Sequence, residues 1–388
     1  MVDSLKSDRL KDIGEYYFSH KLREIEGLNN SGRNILNLGI GNPDFEPPKE
    51  VMSALAEALL EPRFNGYQSY KGLPELRVAI STWYKRHFST TLNPDSEVLP
   101  LMGSKEGVMH ISMAFLNKGD GALVPNPGYP TYSSVTKLAG GRPIAYQLSE
   151  ANDYLPEIAE LEALDLTQVK LMWINYPHMP TGKECSRSVF NDLIAFCKKH
   201  EIILINDNPY GFTLTNEPLS LLEDRSETDL VLELNSLSKS HNMAGWRVGM
   251  LCGNADLINT VLTFKSNMDS GMFKPIMRAS IEALKQPQNW YDDLNVTYKK
   301  RQAKVFEIAD LLECTYDRNQ VGMFVWTKIP EQEKDGKMYA DKLIDLYDIF
   351  VPPGMVFGDE GNQHIRFSLC SSEEVWNEVL QRIRKNRR

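Results

Sequence analysis

Between Glu97 and Cys252, short apolar or β-branched runs alternate with stretches whose apolar residues recur at helical spacing, and no other feature constrains the fold as much. Strands joined by helical crossovers read this way, so the pattern predicts an α/β domain with a mostly parallel central sheet flanked by helices. The expected strands cover residues 98–102, 122–124, 143–148, 170–175, 202–206, 230–235 and 247–252, with helices over 106–116 and 188–200. Ligands of such sheets gather just beyond the C-terminal ends of the strands. Those junctions are polar or glycine-rich here: Gly103-Ser104-Lys105-Glu106, Asn126-Pro127-Gly128-Tyr129, Asp207-Asn208-Pro209-Tyr210 and Ser236-Leu237-Ser238-Lys239.

After Asp256 the pattern changes to longer helices, including one expected over 288–312, followed by strands near 323–328 and 364–369 and helices near 337–347 and 373–385. A chain of 388 residues is too long for one ordinary compact core. The expected division is a large domain over residues 45–285 and a smaller α+β domain built from 1–44 and 286–388.

Charge and cysteine usage narrow the class. A net charge of −9 repels phosphate backbones, and the one basic cluster, Arg382–Arg388, ends an amphipathic helix and reads as a solvated tail, so no nucleic-acid partner is expected. The five cysteines (Cys185, Cys197, Cys252, Cys314 and Cys370) are scattered and form no Cys-x-x-Cys pair, which argues against a disulfide framework and against a metal site. With a charged N-terminal segment and no long uncharged apolar run, the expectation is a cytoplasmic protein without membrane contact.

The most specific stretch is Ser236-Leu237-Ser238-Lys239-Ser240-His241-Asn242-Met243-Ala244-Gly245-Trp246-Arg247-Val248-Gly249. A lysine in a loop between two apolar strands can be partly desolvated, which lowers its pKa and lets it form an imine and later shuttle a proton. Ser236, Ser238 and Arg247 offer the donors and positive charge that a phosphate ester needs. Gly103-Ser104-Lys105-Glu106-Gly107 lies between a strand and a helix, where free backbone N–H groups and the helix dipole favour a phosphate.

This stretch resembles the lysine signature of the class I/II aminotransferases, which depend on pyridoxal 5′-phosphate: S-x-S-K, then an arginine within G-[WYF]-R-x-G. The resemblance extends over most of the chain and implies the type I fold of the aspartate aminotransferase superfamily. It implies that Lys239 binds the cofactor as a Schiff base and that Asp207, in the D-x-x-Y motif, pairs with the pyridine nitrogen. Tyr210 would donate to the ring hydroxyl oxygen, and Tyr129 would stack on the ring. Asn175 is a further cofactor contact, and Gly103, Ser104 and Lys105, with Ser236, Ser238 and Arg247, would hold the phosphate. Tyr67, in Tyr67-Gln68-Ser69-Tyr70-Lys71-Gly72-Leu73, would reach the cofactor phosphate of a second subunit, making the enzyme a homodimer with shared sites; Tyr70 competes for that part. Arg366 would bind the substrate carboxylate and Gly41 would let substrate approach closely.

The implied activity moves an amino group from an L-amino acid to a 2-oxo acid, with 2-oxoglutarate the expected acceptor, in a ping-pong cycle. A lyase on the same scaffold, such as a carbon–sulfur β-lyase, would use most of the same residues and stays open at this point.

Two departures stand out. The family's N-P-x-N-P-T-G motif reads Asn175-Tyr176-Pro177-His178-Met179-Pro180-Thr181-Gly182, so Met179 replaces the asparagine that hydrogen-bonds the ring hydroxyl oxygen, and a thioether cannot donate. Asn175 or His178 swinging in is the alternative. The region where relatives that use aspartate carry an arginine, Phe264-Lys265-Ser266-Asn267-Met268, has none, and Met268, Met272 and Phe273 could line an apolar pocket or pack in the core.

Overall fold

The computed structural model describes residues 5–215 and 217–386, so Arg387 and Arg388 of the basic run lie outside the described residues. A short strand β1 (Leu36–Asn37) precedes seven that form one sheet: β2 (Val98–Leu101), β3 (Gly121–Asn126), β4 (Arg142–Gln147), β5 (Val169–Ile174), β6 (Ile203–Asp207), β7 (Val231–Ser236) and β8 (Gly249–Gly253). Their order is β2-β8-β7-β6-β5-β3-β4. Only β8 is reversed, pairing antiparallel with both β2 and β7, while β3, β4, β5, β6 and β7 pair parallel. The β7–β8 connection holds only one helical turn, Leu237–Ser240, and a 3-10 turn, Ala244–Trp246, which is too little for a crossover that would keep the strands parallel.

Arg247, expected inside a strand, lies before β8 in the left-handed region at φ 57°. That turn takes its side chain off the strand path.

β3, β6 and β7 are buried along their whole lengths because helices cover both faces of the sheet, which is why they read as apolar runs rather than as an alternation. On one face Trp83, Leu123, Met172 and Leu204 pack with helices Pro74–Phe88, Arg187–Lys199 and Lys274–Leu284. On the other, Val108, Tyr132, Trp173 and Ile205 pack with helices Ser104–Phe115, Thr131–Leu138 and Ala255–Ser266.

A separate core draws on both ends of the chain, joining Phe18 and Leu38 to Tyr298, Val305, Trp326, Phe367 and Trp376. Here β9 (Phe324–Lys328) pairs antiparallel with β11 (His364–Ser368), and β10 (Ile349–Phe350) pairs parallel with β1. The last helix, Glu373–Asn386, buries Trp376, Val379, Leu380 and Ile383, one stripe at helical spacing. Its basic end is not a free tail: Arg382 donates to the carbonyls of Asn34 and Asp348, and Arg384 pairs with Glu307. The Asp348 carbonyl also accepts the Leu36 N–H at 2.8 Å, so the arginine docks where β1 meets β10 instead of pointing to water.

Among the described residues, no helix is long and apolar enough to cross a membrane, and no group of His, Cys, Asp or Glu is placed to hold a metal.

Candidate active site

A cavity of about 320 Å³ opens where β5, β6 and β7 end, closed on the other side by β9, β11 and residues 39–41. Asp207 is the last residue of β6. Its Oδ2 accepts from the Tyr132 hydroxyl at 2.9 Å, while Oδ1 is buried without a hydrogen-bond partner. Tyr132 is itself fixed by stacking on Trp173, with ring centroids 5.1 Å apart. Burial pushes the Asp207 carboxyl up to about 6, opposed by the single Tyr132 bond. An orphaned carboxylate oxygen facing a cavity is a built acceptor for a cationic donor.

Lys239 enters from the turn after β7, as expected. Burial is the largest effect lowering its ammonium pKa, and the charges of Arg366 and Arg247 act in the same direction. Its Nζ donates to the Gly41 carbonyl.

Ser104, Lys105, Ser236, Ser238 and Arg247 come together at one end of the cavity, with Gly103 beside them. Gly103 sits at φ 94°, and a Cβ there would lie 2.9 Å from the Arg247 guanidinium carbon, so glycine is what lets that side chain fold over the start of helix Ser104–Phe115. Ser104 lines the cavity at the helix N-terminus, where the first N–H groups have no partner within the helix. Ser236 Oγ accepts the Ser238 N–H at 3.0 Å and holds the Ser238 hydroxyl at 2.8 Å, setting both hydroxyls beside the lysine turn. Lys105 also lines the cavity, with its ammonium 4.9 Å over the Tyr16 ring.

Arg366 is 4% exposed and has no carboxylate partner among the described residues; Nη2 donates to the Gly39 carbonyl at 2.7 Å and Nε is unpaired. Its guanidinium lies 3.8 Å from the Phe324 ring centroid and 4.5 Å from that of Phe357. The β9–β11 register sets this up: Arg366 faces Trp326, so Phe324, two residues away, shares its side of the ribbon. Burial lowers the Arg366 pKa to about 10. A buried, unpaired guanidinium edge suits a planar carboxylate.

Tyr129 and Tyr210 line the cavity, held edge-on by Tyr132 at 5.5 Å and by Phe324 at 5.6 Å. Asn175 lines it too, but its amide is committed: Nδ2 donates to the Asp207 carbonyl and Oδ1 accepts the Met179 N–H at 2.9 Å. His178 Nδ1 is taken by Thr181 Oγ1 at 2.8 Å. His178 Nε2 has no partner but does not reach the cavity lining, and Met179 itself faces the cavity with Sδ 3.2 Å from Arg366 Nη1.

The remaining expected residues divide between the cavity and its surroundings. Gly41 lines the cavity, and a Cβ there would lie 2.5 Å from Phe324 Cζ, so the glycine also makes room for the ring beside Arg366. Met272 is buried in the sheet core and Phe273 packs on Phe64, so neither lines the cavity. Tyr67 is 93% exposed and Tyr70 45%, and neither enters the cavity of its own chain. Sequence reasoning missed Tyr16, Phe18, Phe324 and Phe357 as lining residues; the aromatic run Tyr16-Tyr17-Phe18 was the one visible signal.

The sequence model of the family described as aminotransferase class I and II matches residues 33–383, and the chain belongs to that family. It is similar to the LL-diaminopimelate aminotransferase of Dehalococcoides mccartyi, 35% identical over 370 residues, covering 95% of each chain. Transaminase BacF of Bacillus subtilis is 35% identical, over 98% of this chain and 96% of BacF. The substrate-bound structure of BacF superposes with a TM-score of 0.92, covering 98% of this chain and 97% of BacF at 35% identity. A Thermus thermophilus aspartate aminotransferase mutant shares the fold at a TM-score of 0.91 and 23% identity, over 98% and 99% of the two chains. The protein is an aminotransferase of the type I fold, and its named relatives do not favour the lyase reading.

Proposed function

We propose that the cavity binds pyridoxal 5′-phosphate through Lys239 and transfers the amino group of an L-amino acid to 2-oxoglutarate. The observation that carries this is the Asp207 Oδ1 atom, buried and unpaired in the same cavity as a desolvated lysine and an unpaired arginine. A protonated ring nitrogen would satisfy that oxygen and restore the carboxylate to its ionised state. Gly103, Ser104, Lys105, Ser236, Ser238 and Arg247 suit the phosphate, Tyr129 the ring face and Tyr210 the ring edge, while Asn175 holds the Asp207 backbone behind them. When bound, the group supplies an electron sink for the bond broken at the substrate Cα.

The chain's own residues supply the rest. Arg366 orients the carboxylate from its unpaired Nε, the one guanidinium nitrogen that no protein atom occupies. Lys239, once displaced, is an amine of lowered pKa and carries the proton from Cα. The aromatic walls Tyr16, Phe18 and Phe357 limit water.

Three further readings belong to this proposal. The exposed Tyr67 supports a homodimer in which it completes the partner's phosphate site. The separate third core supports a large domain over 45–285 and a small one from 1–44 and 286–388. A cytoplasmic location fits the unpaired cysteines.

The test is a panel of amino acids, LL-diaminopimelate included, added singly to the cofactor-loaded enzyme. Each good donor should yield one 2-oxo acid per site without acceptor, and turnover only with 2-oxoglutarate. Continuous release of ammonia without any acceptor would contradict the reading.

A further inference from the structure

Residues 38–41 leave β1 and run between Lys239 and Arg366, and each carbonyl along them has its own partner. Leu38 O accepts the Ser368 N–H at 2.7 Å, Gly39 O accepts Arg366 Nη2 at 2.7 Å, Ile40 O accepts the Ser368 hydroxyl at 2.9 Å, and Gly41 O accepts Lys239 Nζ. One backbone segment therefore spaces the two cations of the cavity. It has little slack, since a Cβ on Gly39 would lie 2.6 Å from Pro352 Cδ and one on Gly41 2.5 Å from Phe324 Cζ.

The far end of the segment is held by a pair that does not line the cavity. The Asp44 carboxylate meets the Arg301 guanidinium through two bonds, Nη1 to Oδ1 at 2.7 Å and Nη2 to Oδ2 at 2.8 Å. Arg301 is 3% exposed, donates also to the Leu369 carbonyl at 3.0 Å, and stacks 4.6 Å from the Phe45 ring centroid. Leu369 follows β11, the strand of Arg366, and Arg301 belongs to helix Gln288–Leu311. The fork thus ties the loop, the strand and the long helix at one point.

We infer that Asp44 and Arg301 are positioning residues for the reaction, which fix Lys239 against Arg366 through the carbonyls of residues 39–41. The inference rests on the reading of the cavity given above. A lysine at 301 keeps the charge but cannot make the planar fork together with the Leu369 bond. A neutral pair of similar volume can preserve stability while removing the fork.

The experiment uses the full-length, cofactor-loaded protein and the variants Arg301→Lys, Arg301→Met and Asp44→Asn/Arg301→Met. Two quantities are read besides turnover: the pH midpoint of the visible absorbance change, which reports the proton on the Lys239 nitrogen, and the dissociation constant of 3-phenylpropanoate, a carboxylate with no amino group. Arg301→Met and the double variant should weaken 3-phenylpropanoate about tenfold, move the absorbance midpoint and lower kcat by roughly a hundredfold, as misplacement by about 1 Å does. Arg301→Lys should fall between these and the wild type. Should Arg301→Met not fold, the double variant and Arg301→Lys carry the test. A folded double variant with wild-type midpoint and wild-type 3-phenylpropanoate binding would overturn the inference alone. A wild-type protein that takes up no cofactor at Lys239 would sink the cavity reading and this inference together.

Discussion

Met179 places a thioether in the cavity where the family motif has an amide; the Asn175 amide is engaged elsewhere, and His178 does not line the cavity. One donor fewer at the cofactor's ring hydroxyl strengthens the hold of that oxygen on the lysine's proton. Met179→Asn is therefore predicted to lower the pH midpoint of the visible absorbance of the loaded enzyme; an unchanged or higher midpoint in a spectrophotometric titration would refute the idea. At this scale the sequence was legible where chemistry demands a particular atom. Lys239, Asp207, Arg247 and Arg366 all meet in the cavity, since no other residue types offer an imine-forming amine, a buried carboxylate and unpaired guanidinium edges. Phe18, Phe324 and Phe357 were not legible, because a ring that walls a site reads like a ring that fills a core. At Gly41 the contact with Phe324 was not legible, because only the β9–β11 register brings that ring there.

Among the elements, the turn carrying Lys239 is braced from behind. Helix Gln288–Leu311 sends Trp290 Nε1 to the Ser240 carbonyl at 2.9 Å and places the Tyr291 hydroxyl 3.2 Å from His241 Nε2, while His241 Nδ1 meets Ser240 Oγ at 2.9 Å. Burial holds the His241 pKa down to about 3. A folded-state pKa below the unfolded value of roughly 6.5 means that the unfolded chain takes up a proton the native state refuses. Its contribution is therefore complete above pH of about 6.5 and is lost as the pH falls, by about 2 kcal/mol at pH 5. Denaturant unfolding between pH 7 and 5 should show this loss reduced in His241→Asn; an identical pH slope in that variant would contradict it. Element types were readable from periodicity, but the start of β8 was not, because the left-handed turn at Arg247 leaves no mark in an apolar count.

For the whole molecule, the parallel ends of β5, β6 and β7 and the β9–β11 ribbon meet face to face, and the two basic groups of the cavity come from opposite sides of that junction: Lys239 from the sheet, Arg366 from the ribbon. Strand alternation announced a parallel sheet, yet strand order and the place of β8 came only from the fold, since a linear pattern carries no neighbour information. The core that unites Phe18 with Trp376 was visible only as a change of helical character after Asp256. All of this bears on the proposed function through one covalent attachment. The decisive measurement is borohydride reduction of the loaded protein followed by digestion and peptide mass analysis. The reduced cofactor should be found on the peptide containing Lys239 and be missing from Lys239→Ala; no adduct, or one on a different lysine, would contradict the account.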